Sequence, residues 1–184
     1  MGTQLDYQLH KLLIPVLFSA EWSVDTVRAL VSEKFGRIDL ESDVYPFDFT
    51  HYYDYEMGDS ILRVLFSMEQ LVDPSELSAL KNRSNDVELE SAREDGNRTI
   101  NIDPGLLSLS RVILATTKAS AHRISIGSGI YAEITLMYRK GHFRPLEWTY
   151  PDFRSERYAR WLEKVRDHYH DQLLEIDPDR AWRL

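Results

Sequence analysis

Two stretches of this sequence carry side chains whose types and spacing suit chemistry. The first is "NIDPGLLSLSRVILATTKASAHR", residues 101–123, which opens on Asp103 and closes on Lys118, His122 and Arg123, with Tyr131 and Glu133 soon after. Three potentially cationic groups so close together can grip a carboxylate or phosphate through charge-assisted hydrogen bonds, and Arg123 can do so in bidentate fashion. Asp103 before Pro104 and Gly105 can hold a cation, or it can cap a helix whose first N–H groups attract an anion. The same Asp-Pro pair recurs at Asp73 and Asp177, which favours capping. Glu133 is a general base or metal ligand in one reading, and in the other simply the cross-strand partner of Arg123.

The second stretch is "PFDFTHYYDYEMG", where Asp48, His51, Tyr52, Asp54, Tyr55 and Glu56 crowd together. Oxygen and imidazole ligands at such density can bind a metal, although neither His-x-x-x-His nor Glu-x-x-His spacing is present. Aromatic packing with solvated acids explains the same residues. "EWTYPDFRS" adds Trp148, Tyr150 and Arg154, a set that stacks on a ring or pins a connection. His168 and His170, two apart, fall on different faces of one helix. No G-x-S-x-G nucleophile elbow occurs.

The elements that must position these groups follow from periodicity. The apolar run from Leu12 to Ala20 has the length of a buried strand, and "SVDTVRALVSEKFG" continues as a helix stopped by Gly36. "RIDLESDVYPFDF" alternates in part, "THYYDYEMG" reads as a short helix between Thr50 and Gly58, and "SILRVLFSMEQ" reads as a strand. A helix starts at Asp73 and Pro74, and "RTINID" is a further strand. This order predicts an α+β protein whose first half, about residues 10–104, is the β-α-β-β-α-β ferredoxin-like arrangement. The extension, about residues 105–184 of the same single domain, is expected to be a buried helix from Leu106 to Thr117, a β-hairpin region and a last helix. In "IYAEITLMYR" one face is apolar and the other, with Tyr131, Glu133 and Thr135, mostly polar. The last helix carries Tyr158, Trp161, Leu162, Val165, Tyr169 and Leu173 on one stripe.

Composition narrows the classes. The chain has 184 residues, 43% of them hydrophobic, enough to bury a core. A net charge of -8 argues against a nucleic-acid partner. With no cysteine, disulfides, thiolate metal sites and thiol nucleophiles are excluded, and the composition suits a reducing cytoplasm. The first apolar run lacks a basic flank and a cleavage site, so neither a signal peptide nor a membrane span is expected there.

The strings "YPFDFTHYYDYEMG", "NIDPGLLSLSRVILATTK", "HRISIGSGIYAEITLMYRKG" and "PLEWTYPDFRS" together resemble a bacterial domain-of-unknown-function family, number 4416. Some of its members are labelled GTP-binding protein. The resemblance spans nearly the whole chain and carries no assigned activity or catalytic residue, so no role is transferred from it. The label implies a nucleotide, yet the chain has no G-x-x-x-x-G-K-[ST] loop, "IGSGIY" lacks the lysine, and "KNRSND" departs from N-K-x-D. The expected function is binding of a small anionic ligand, with nucleotides among the choices. Lys118, His122, Arg123, Tyr131, Glu133 and Asp103 are the first candidates, and Asp48, Tyr52, Glu56, Trp148 and Arg154 the second. One alternative is a metal-assisted hydrolase drawing on Asp48, Glu56, Asp103, His122 and Glu133. Another is an interaction module, marked by an apolar patch or a free sheet edge.

Overall fold

The computed structural model describes residues 6–177. The first strand, β1 (His10–Ser19), is buried along its whole length, as expected for a continuous apolar run at the centre of a covered sheet. Side chains alternate across it. Leu12, Ile14, Val16 and Phe18 face α1 (Val24–Phe35) and α3 (Leu77–Glu90), while Leu13 faces α4 (Glu156–Ile176) on the opposite side. The expected stripe on α4 is buried against that second face.

The remaining strands are β2 (Ile38–Glu41), β3 (Tyr45–Pro46), β4 (Ile61–Val72), β5 (Ile100–Ile102), β6 (Gly105–Leu107), β7 (Arg111–Thr116), β8 (Ile124–Gly127), β9 (Ile130–Arg139) and β10 (His142–Pro145). They form one open antiparallel sheet in the order β10-β9-β7-β6-β1-β4-β2, with β3 on β4, β5 on β1 and β8 on β9. With four helices, counting α2 (Asp54–Met57), the described residues make an α+β fold. Among them no helix is long and apolar enough to cross a membrane.

Local chemistry explains most boundaries. Ser23 caps α1 by accepting the Thr26 N–H, and Gly36 ends it at φ 103°. Asp73 accepts the Ser75 N–H at 2.8 Å ahead of a single tight turn and then α3. Thr50 makes a turn instead of a cap: its hydroxyl accepts the Tyr52 N–H, and α2 begins only after Tyr53. Lys140 and Gly141, both left-handed, close the β9–β10 hairpin.

Three expectations are corrected. The segment from Leu106 to Thr117 is no helix but the strands β6 and β7, folded back through Ser108 to Ser110. That turn holds no Gly, Pro, Asn or Asp, so two strands read as one long apolar element, although Val112, Ile113 and Thr116 favour strand. Asp103 therefore caps nothing, because Pro104 leads into β6. The expected division of β9 into an apolar and a polar side does not become one inner and one outer face: Glu133 is 2% exposed and Ile134 38%, while Ile130 and Leu136 are buried. The Asp-Pro pair at Asp177 continues into Pro178, which lies outside the described residues.

Candidate functional site

Proline chemistry opens the sheet. The β1–β5 and β1–β6 pairings share one register, which places Pro15 opposite Asp103. The Asp103 N–H donates to the Pro15 carbonyl at 3.1 Å, but Pro15 has no N–H to return. On the other side the Ala115 N–H reaches the Pro104 carbonyl at 3.0 Å, and beyond that bond β7 pairs with β9 while β5 pairs only with β1. The sheet thus forks beside Asp103. Gly105 keeps the closed end tight, since a Cβ there would stand 2.6 Å from the Ile113 carbonyl oxygen.

A cavity of about 630 Å³ occupies the fork, within the size range of small-molecule sites. Its walls come from β4 (Arg63), the β5–β6 break (Asn101, Asp103), the end of β7 through Lys118, and β9 (Glu133). Helix α3 adds Lys81 and Glu88, and two connections add aromatic rings, among them Phe47, Tyr52, Tyr53 and Tyr150.

Most charges inside are paired. Lys81 Nζ donates to the Ile102 carbonyl at 2.7 Å and to Asp103 Oδ1 at 3.2 Å, while Asn101 donates to Asp103 Oδ2 at 2.7 Å. Burial alone would raise the Asp103 carboxyl, but the Lys81 and Arg63 charges outweigh it and hold the group below its ordinary value. Glu88 shows the opposite balance, pushed up by burial despite Lys81 and Arg98. Arg63 donates to Asp152 Oδ2 at 2.8 Å, in the segment that also carries Tyr150. Burial opposes the Arg63 charge, yet Asp152, Tyr158, Asp103 and Tyr53 together more than compensate, so the guanidinium stays firmly protonated. Burial also raises Tyr53 and Tyr150, whose hydroxyls remain neutral donors and acceptors.

Some groups remain open. Arg63 Nε and Nη1 and Glu133 Oε1 are buried and have no partner within hydrogen-bond geometry among the described residues, although the Arg63 guanidinium lies 5.2 Å from the Phe47 ring centroid and acts on the Tyr158 hydroxyl. Glu133 Oε2, in contrast, accepts from Arg123 Nε at 2.7 Å and lies 3.1 Å from His122 Nε2. Arg123 reaches on to the Tyr150 hydroxyl at 2.8 Å. Lys118 stands at the rim: its ammonium donates to the Tyr52 hydroxyl at 2.8 Å and lies 4.2 Å from that ring's centroid. Among the described residues it makes no ion pair with a carboxylate, unlike Arg63, Lys81, Arg98 and Arg123 in the same wall.

Of the residues singled out in the sequence, Asp103, Lys118, Arg123, Glu133, Tyr52 and Tyr150 line the cavity. The expected Arg123–Glu133 pair forms even though Ile124, 73% exposed, does not face the core. His122 stands behind the wall, stacked on Trp148 with ring centroids 4.9 Å apart, and Trp148 donates to the Ile134 carbonyl. Arg154 pins a loop through the Thr149 and Glu147 carbonyls, Glu56 pairs with Arg98, and Asp48 is exposed. Tyr131 lies on β9 outside the wall. The acids and histidine proposed for a metal are not gathered: among the described residues no group of three or more His, Asp or Glu is placed to hold one.

Arg63, Lys81, Asn101 and Asp152 were missed. Two of them left a signal: Lys81 sits in the buried stripe of α3 with Leu77, Leu80, Ser84, Val87 and Glu88. Arg63 is the other, a buried charge in the mostly apolar run Ile61–Phe66 of β4.

Fold and site together define an α+β protein with an open antiparallel sheet forked around one polar, aromatic-walled cavity. Residues 8–169 match the domain of unknown function DUF4416, and the chain belongs to that family. No curated protein and no solved structure matches it.

Proposed function

We propose that the protein is a binding module for a small organic anion that carries a flat ring, with nucleotides the first class to test. One observation carries this reading: in a chain of net charge -8, the cavity wall gathers five cationic side chains against four carboxylates. The surplus is Lys118, whose ammonium leans on Tyr52 at the rim and is free to meet a phosphate or carboxylate. Tyr52, Phe49 and Tyr150, each partly exposed, offer faces for the ring. The strand neighbours β5-β1-β4-β2 support reading residues 10–104 as a ferredoxin-like unit, with residues 105–184 as an extension that supplies the second wall.

Calorimetric titration with nucleoside monophosphates, sugar phosphates and aromatic carboxylates tests the reading. At least one class is expected to bind, and Lys118→Ala to weaken it about tenfold or more, the loss expected for a charged hydrogen bond. Silence across all three classes would sink the proposal.

A further inference from the structure

Six residues among those described hold a buried side-chain nitrogen or oxygen without a hydrogen-bond partner, and only Arg63 and Glu133 of the six line the cavity. An unpaired polar atom out of contact with water is costly, and fixed neighbours tolerate it chiefly where another molecule completes the set. The two residues are complementary, one offering N–H groups and the other a carboxylate oxygen. They are nonetheless tied to different partners. Arg63 is held by Asp152 Oδ2, and Glu133 by Arg123 Nε through its other oxygen. Nine-tenths or more of each side chain is buried.

Resting on the anion reading above, we infer that the ligand's ring carries an N–H or O–H donor that reaches Glu133 Oε1, together with a lone pair that takes an Arg63 N–H. The ligand thus has two ends. Its anionic group stays at the rim with Lys118, and its ring edge, with donor and acceptor, enters the fork. This selects amino- or hydroxyl-substituted aromatic and heterocyclic anions over rings that lack a donor. Glu133 is the specificity-determining residue. Arg123 and His122 act through it by holding its second oxygen, and Trp148 holds His122 in turn.

Matched probes that differ only in the donor test this. Adenosine 5′-monophosphate is compared with purine riboside 5′-monophosphate, 4-aminobenzoate with benzoate, and 4-hydroxybenzoate with benzoate. In at least one pair the donor-bearing member is expected to bind wild type about tenfold more tightly, the cost of leaving one buried acceptor unpaired. In Glu133→Gln the amide oxygen is taken by Arg123 Nε and the NH2 faces the ligand, so that preference disappears or reverses. Lys118→Ala weakens both members alike and leaves their ratio unchanged. Equal binding within every pair by wild type overturns the inference while leaving the anion reading standing, as does a preference that survives in Glu133→Gln. If no probe binds, the anion reading fails first and takes the inference with it. Should Glu133→Gln not fold, as judged by its thermal transition, the wild-type ratios decide alone.

Discussion

The protein buries ionic groups in two places, and the two differ in completeness. Under α4, Lys11 is 0% exposed and donates to Asp39 and to Gln172 Oε1, while Asp39 also accepts from Ser67 and meets His168. Burial lowers the Lys11 ammonium and its partners pull it back up, a closed account in which neither Lys11 nor Asp39 keeps an unpaired buried atom. At the fork, charges of the same kinds line a cavity of about 630 Å³, and Arg63 and Glu133 keep atoms without hydrogen-bond partners among the described residues. Buried charge alone therefore does not mark a site here. The proposed site differs from this cross-brace of the fold in combining unpaired buried atoms on wall residues with a cavity.

Substitutions can break that contrast, and the largest effect belongs to the closed network. Lys11→Ala leaves Asp39 nearly buried without its cation and should cost roughly 3–5 kcal/mol in chemical denaturation. A loss under about 1 kcal/mol would mean the network is as loose as the cavity rim. Next in size is Gly105→Ala, which forces a methyl against the Ile113 carbonyl and should cost about 1–3 kcal/mol while disturbing the fork. Denaturation curves of wild type and variant, with binding of the probes above, check both parts.

The third effect depends on pH. The folded Asp103 carboxyl lies below its unfolded value of about 3.9. Its stabilisation is accordingly in place above the unfolded value and is lost as pH falls through the lower folded one. Asp103→Asn removes that contribution, so the stability gap between wild type and variant should shrink as pH is lowered from 7 toward 3. A gap independent of pH would show that Lys81 and Arg63 do not stabilise the ionised acid. The smallest stability effect is expected for Lys118→Ala, within about 0.5 kcal/mol, because its contacts are at an exposed rim. Thermal unfolding without ligand measures it.

Part of this was legible before any fold. Lys118, Arg123 and Glu133 drew notice because cations precede a strand with an acid on its polar side, and the structure does bring them to one wall. Lys118 nevertheless follows a strand, not the helix expected to end at Thr117. The apolar segment from Leu106 to Thr117 hid a turn made of serines, whose side chains replace the usual Gly or Asn by bonding to one another and to the Ser110 N–H. Asp103 misled for a related reason. An Asp-Pro pair starts the turn before α3, but at Asp103 the facing Pro15 interrupts a strand ladder, and only long-range pairing reveals that. Arg63 and Lys81 were legible as charges within buried patterns, a signal that asks what pays for their desolvation.

The central claim is that the fork accepts a small anion through Lys118, the wall cation that has no carboxylate partner among the described residues. It is tested most directly by calorimetric titration of wild type and Lys118→Ala with adenosine 5′-monophosphate, glucose 6-phosphate and 4-hydroxybenzoate at one fixed ionic strength. The account predicts saturable binding of at least one of these to wild type, weakened about tenfold or more in the variant. No binding to wild type, or equal affinity in both proteins, would contradict it.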